Sequence, residues 1–249
     1  MHIPRLLSGP SKPLGARLFL RALAIAAAVL VILFCASSLR APRVQAEQES
    51  EHEREQSKIK IGFAIAPVPL NLEHKNRELV GLGSYIVNAQ ADCNGCHSRG
   101  PQTEYLPTGN PYLLSPPKGP YQGTQQINPQ TYLGGGRDFG PVFTLNHLYS
   151  RNLTPDNTGL PEGGHTFREF LTIMRTGKDY DHVHPACTGA PDGTCLPAPF
   201  NADLLQVMPW PVQQNMTEHD LRAVYEYLSA IPCIDTVVDG APYLRNSCS

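Results

Sequence analysis

The chain has 249 residues, a net charge of only −2 and 41% hydrophobic residues, enough for one sizeable domain with appendages. No basic patch accompanies that balance, which excludes a nucleic-acid partner. Proline (24) and glycine (21) are abundant and predict long loops and little sheet.

Residues 1–46 carry Arg5, Lys12, Arg17 and Arg21 ahead of an apolar run over 22–39, and hold no acidic residue. Two readings stand. A cleaved signal peptide would end at the small-residue site Val44-Gln45-Ala46. A retained anchor would use the run as a membrane-spanning helix, and the length of the run favours it. Cys35 does not make a lipoprotein site, because Phe34 stands where a small residue is required. In both readings the basic flank stays in the cytoplasm and the remainder is exported to the periplasmic side, either tethered to the membrane or soluble. All 22 acidic residues lie beyond residue 46, so the exported part is net acidic.

Residues 47–60 are polar and charge-dense and read as a disordered spacer. Residues 61–72 are apolar but broken by Pro67 and Pro69, and 61–75 read as an extended arm. A helix is expected to begin near Asn76, a good N-cap, with Leu79, Leu82, Gly83, Ile86 and Val87 on one stripe. Gly81 and Gly83 lower its intrinsic propensity and point to close approach of another helix, with the last helix as candidate.

That helix leads into Cys93-Asn94-Gly95-Cys96-His97, a Cys-x-x-Cys-His signature for attachment of a c-type haem. Two thiols at this spacing add across the two vinyl groups of a haem, and the adjacent His97 ligates the iron. A structural zinc site would need a second Cys/His pair at short spacing, and the sequence has none. A thioredoxin-like redox pair expects a βαβ setting, whereas these flanks are helical and loop-like.

Residues 99–150 hold eight Gly and eight Pro, which excludes a long helix, and five Tyr, which argues for an ordered loop over the haem edge. Gly134-Gly135-Gly136-Arg137 lacks the context of a phosphate loop and reads as a tight turn. Arg151 to Asp156 follows as a Pro-containing turn. A proximal histidine needs a carbonyl acceptor for its outer ring nitrogen, and that role is assigned to the Pro155 carbonyl. A helix over 166–176 is marked by a capping box of Thr166 and Glu169 and ended by Gly177. The loop after it carries His182 and His184.

Met208 sits in Val-Met-Pro-Trp-Pro, a stiff loop suited to presenting a thioether as the sixth ligand of iron. His182 and His184 remain alternatives. Trp210 is the only tryptophan and is expected to pack on the haem, with its N–H toward a propionate. The stripe Leu221, Val224, Tyr225, Leu228, Ile231 marks a final helix over 217–231, stopped by Pro232. The tail, 233–249, is expected to be stapled. Cys187, Cys195, Cys233 and Cys248 allow three pairings, of which Cys187–Cys195 and Cys233–Cys248 close short local segments.

A helix entering Cys-x-x-Cys-His, the pattern Asn152-Leu153-Thr154-Pro155-Asp156 with Thr158-Gly159, then Met208-Pro209-Trp210 and an amphipathic last helix together resemble the single-haem class I cytochrome c family. The closer likeness is to cytochrome c domains of bacterial membrane dehydrogenase cytochrome subunits, and it covers residues 76–232. It implies an all-α fold of few helices around one covalent haem c, attached through Cys93 and Cys96 and ligated by His97 and Met208. It also implies one-electron transfer between donor and acceptor proteins rather than catalysis. Those subunits often carry three haems, and this chain has one signature. An electron-transfer subunit of a membrane dehydrogenase, or a haem enzyme of peroxidase-like or thiosulfate-oxidising type, are the alternative functions.

Overall fold

A computed structural model describes residues 50–112, 125–141, 147–180, 201, 203–235 and 246–249. The leader with its apolar run, His182, His184 and the Cys187–Cys195 pair lie outside the described residues. The chain divides into two compact units, Met1–Arg54 and Glu55–Ser249. The second holds the Cys-x-x-Cys-His run and Met208.

Described residues are mostly helical. Residues 50–65 are helical (α1), which corrects the disordered spacer expected over 47–60 from residue 50 on, and the extended arm over 61–65. Glu, Gln, Arg and Lys are good helix formers, and the charged side faces outward while Ile59 is buried. Tertiary packing fixes the helix. The Gly62 backbone lies so close to α2 (Arg77–Tyr85) that a Cβ there would fall 1.9 Å from the Gly81 carbonyl oxygen. The Ser84 hydroxyl donates to the Gly62 carbonyl at 2.7 Å. Only beyond residue 65, where Pro67 and Pro69 forbid further helix, is the segment extended or irregular.

Asn76 caps α2 as expected, its side chain accepting from the amides of Glu78 and Leu79. The opposite face of α2 packs on α7 (Glu218–Leu228), whose N-cap is Thr217. A Cβ at Gly83 would lie 1.9 Å from the Ala223 carbonyl oxygen, so glycine is what lets the two backbones touch. Val80, Val87, Leu221 and Leu228 seal this core, each essentially without exposure; burial of each such side chain stabilises by about 1.5–3 kcal/mol.

The helix α5 (Phe167–Thr176) carries the expected capping box of Thr166 and Glu169 and ends at Gly177 in the left-handed conformation, φ 71°. It is preceded by one tight turn, α4 (Pro161–Gly164), and followed at distance by the short α6 (Trp210–Gln213). Part of the region expected as irregular forms a two-stranded antiparallel sheet, β1 (Asp138–Pro141) with β2 (His147–Tyr149). A disulfide joins Cys233 and Cys248, in keeping with the local pairing expected of the tail.

Candidate functional site

Helix α2 ends in a π-helical turn, Ile86–Gln90, a feature often found beside functional sites. Asp92 then takes a left-handed conformation, φ 46°, and the chain enters a single turn, α3 (Cys93–His97). A Cβ at Gly95 would lie 2.7 Å from an Asp92 carboxylate oxygen, so a side chain there would have to displace the Asp92 carboxylate. Within the turn Cys93 and Cys96 are three residues apart and therefore share a face. Both are free thiols. Burial pushes the Cys93 thiol up to about 12, which keeps it protonated. Among the described residues no group of three or more His, Cys, Asp and Glu is placed to hold a metal ion.

His97 is buried, and its Nδ1 lies 2.8 Å from the Arg151 carbonyl oxygen. A carbonyl only accepts, so Nδ1 carries the proton. Burial holds the imidazole below its ordinary pKa, hence neutral, and Nε2 keeps its lone pair. The assignment of this acceptor to Pro155 is thereby corrected. The Pro155 carbonyl instead accepts from Asn246 Nδ2 at 3.0 Å. Two consecutive turns account for the difference. Asn152 Oδ1 accepts from the Thr154 amide and hydroxyl at 2.8 and 2.7 Å, and Asp156 Oδ1 from those of Thr158 at 2.8 and 2.5 Å. These turns aim Pro155 at the tail and leave Arg151, just before them, facing the histidine.

The glycine turn at 134–136 completes the cradle. The Gly135 amide donates to the His97 carbonyl at 2.7 Å. At φ 68°, a Cβ on Gly135 would fall 2.4 Å from the Arg151 carbonyl carbon. Leu133 donates its amide to Asn94 Oδ1 at 2.9 Å and so ties the middle of the signature to the same turn.

Cys93, Cys96, His97 and Met208 line one cleft, about 1240 Å³ with its open mouth included, whose walls are largely aliphatic and aromatic. Met208 is delivered by a three-residue turn in which its amide reaches the Gln206 carbonyl at 2.7 Å and Val207 is held at φ 65°. A β-branched residue in that region is strained, as residues at functional sites often are. Trp210 does not line the cleft, contrary to its expected place on the haem. Its Nε1 donates to the Leu205 carbonyl at 3.2 Å and its ring covers Gly177, so it braces the Met208 segment from behind.

Other wall residues carry no sequence signal for this role. Met174 also faces the cleft from α5, which makes it a second thioether there. Arg151 lines it too. Glu162 is buried at φ 54°, and nothing in Pro-Glu-Gly-Gly announces a buried carboxylate. Gln213 places a buried Oε1 at the wall with no protein partner. Two free thiols three apart, a neutral imidazole with its outer nitrogen engaged and a thioether in the same apolar cleft fit a covalently attached haem.

No protein-family model matches the chain, and no solved structure matches it. A fructose dehydrogenase cytochrome subunit from Gluconobacter japonicus is 24% identical over 154 residues, which is 61% of this chain and 21% of that relative. The chain thus has a distant cytochrome-like relative and spans about a fifth of its length.

Proposed function

We propose that the chain is an exported mono-haem c-type cytochrome of class I type that passes single electrons between redox partner proteins at the periplasmic face of the membrane. The observation that carries this is the His97 Nδ1 contact to the Arg151 carbonyl, inside a cleft that also takes in Cys93, Cys96 and Met208. Bound there, a haem supplies a one-electron iron couple. The residues of the chain do the rest. Cys93 and Cys96 hold the group covalently, and His97 offers Nε2 because Arg151 fixes its tautomer. Met208 offers a soft sixth ligand on a braced turn, and the aliphatic walls exclude water and so help set the potential. Neither Pro155 nor Trp210 has a direct role in this reading. The apolar run 22–39 would tether the domain if it is retained. Among the described residues no helix is long and apolar enough to cross a membrane.

The test is mass and redox spectroscopy of the exported domain, with and without Met208→Ala and Met174→Leu. The expected outcome is one haem mass added through two thioethers, with a thioether–ferric charge-transfer band lost only in Met208→Ala. Protein without added haem mass would sink the proposal. A band lost only in Met174→Leu would move the sixth ligand to α5.

The likeness to a dehydrogenase cytochrome subunit favours a second reading, in which the chain serves as an electron-transfer subunit of a membrane dehydrogenase. Co-purification with a flavin- or quinone-linked dehydrogenase would separate the two.

A further inference from the structure

Arg151 acts twice in this molecule. Its carbonyl faces His97, while its guanidinium pairs with the Asp179 carboxylate through Nη2 and Oδ1. The pair is interior: the two side chains are 11% and 0% exposed. Asp179 lies just past the end of α5, where residues 177–179 run beside 203–205. The Leu205 amide donates to the Gly177 carbonyl at 2.7 Å, Lys178 and Leu204 form an antiparallel bridge, and the Asp179 amide donates to the Asp203 carbonyl at 2.9 Å. Met208 comes directly after this segment. One arginine therefore joins the backbone that orients His97 to the bridged segments that lead to Met208.

We propose that the Arg151–Asp179 ion pair is a strap across the cleft, a positioning device that keeps the Met208 segment seated against the side that carries His97. The strap rests on the haem reading of the cleft. Burial is what gives it its strength. A surface pair can open at little cost, whereas removing either partner of a buried pair leaves the charge of the other poorly compensated. The backbone bonds between the two segments couple any movement of 177–179 to 203–205.

The test uses the full haem-loaded chain with Asp179→Asn, and Arg151→Lys as a milder break that keeps a cation. Thr217→Ala serves as a comparison that weakens the cap of α7 without touching the strap. In Asp179→Asn, covalent haem is retained by mass and the thioether–ferric band is lost or greatly reduced. Carbon monoxide binds the ferrous form about tenfold faster, as the fraction of molecules with Met208 displaced rises about tenfold. Amides at 203–208 exchange faster with solvent while those of α7 do not. Arg151→Lys shows the same changes to a smaller degree and carries the test if Asp179→Asn does not fold. The strap is overturned if both variants keep the parent's band, carbon monoxide rate and exchange, or if Thr217→Ala reproduces the losses. A parent without covalent haem overturns the haem reading instead, and the strap then stands or falls on the exchange of 203–208 alone.

Discussion

The indole of Trp210 occupies the space that a side chain at Gly177 would fill: a Cβ there would lie 2.2 Å from Trp210 Cε2. Gly177 also sits at φ 71° to close α5. Replacing it with alanine combines a backbone penalty with a steric one, and Gly177→Ala is expected to cost about 2–4 kcal/mol. Because Trp210 braces Leu205 ahead of Met208, any thioether–iron signal should weaken alongside. Urea unfolding together with the visible spectrum reads both effects, and an alanine variant as stable as the parent would refute the packing described.

A second prediction concerns the contact between α2 and α7. The obstacle to a Cβ at Gly83 is the Ala223 backbone, which cannot rotate away as a side chain can. Gly83→Ala should therefore destabilise by about 3 kcal/mol despite alanine's better helix propensity. A melting temperature at or above the parent's would show that the helices are not in backbone contact.

The turns after Arg151 make a contrast that two substitutions can measure. Asn152 is buried, accepts from Thr154 and donates to the Ile234 carbonyl at 2.7 Å. Asn152→Ala removes those bonds and should cost about 2–3 kcal/mol, and it should shift the haem spectrum by moving the Arg151 carbonyl. Pro155→Ala, which leaves a carbonyl in place and does not touch His97, should leave the spectrum unchanged. The reverse pattern would show that the Asn152 turn does not position the carbonyl that meets His97.

A fourth prediction is about alkaline pH. Tyr132 and Tyr227 are buried and meet hydroxyl to hydroxyl at 2.7 Å, with Asn88 Nδ2 3.2 Å from the Tyr227 oxygen. Burial, more than any neighbour, raises both phenols above their ordinary value of 10.0. In the unfolded chain they ionise near pH 10, while in the folded chain they stay protonated. The native state thus holds more protons above about pH 10, and stability should fall as pH rises through that range. Denaturation between about pH 9 and 11.5 should show a steeper loss in the parent than in the double variant Tyr132→Phe/Tyr227→Phe; equal slopes would place both phenols in water.

Much of the fold is legible in the sequence in local form. Asn76, Thr166 with Glu169, Thr217 and Gly177 are helix ends, and each is a short-range hydrogen-bond or φ requirement visible within a few consecutive residues. The Cys-x-x-Cys-His run and Met208 stand out in the sequence by residue type and spacing, and the fold brings them to one cleft. The misreadings share a cause. Helix α1 is hidden because its partner is a glycine ledge at Gly81, well downstream, and a charged outer face looks the same on a helix as on a spacer. Pro155 competes with Arg151 on equal terms because a turn shows where carbonyls are free but not which one points inward. Trp210 is drawn to the cofactor because an aromatic ring carries no record of which surface it covers.

Asn246 gives the fold one more property. Its amide nitrogen sits within hydrogen-bonding reach of the Thr154 hydroxyl, at 2.9 Å, and of the Thr154 and Pro155 carbonyls, while the neighbouring Cys248 is tied to Cys233. The segment whose carbonyl meets His97 is thus pinned by a residue 92 positions beyond Thr154. The disulfide between two cysteines that do not line the cleft is linked, through Asn246, to the turn that follows the carbonyl facing His97.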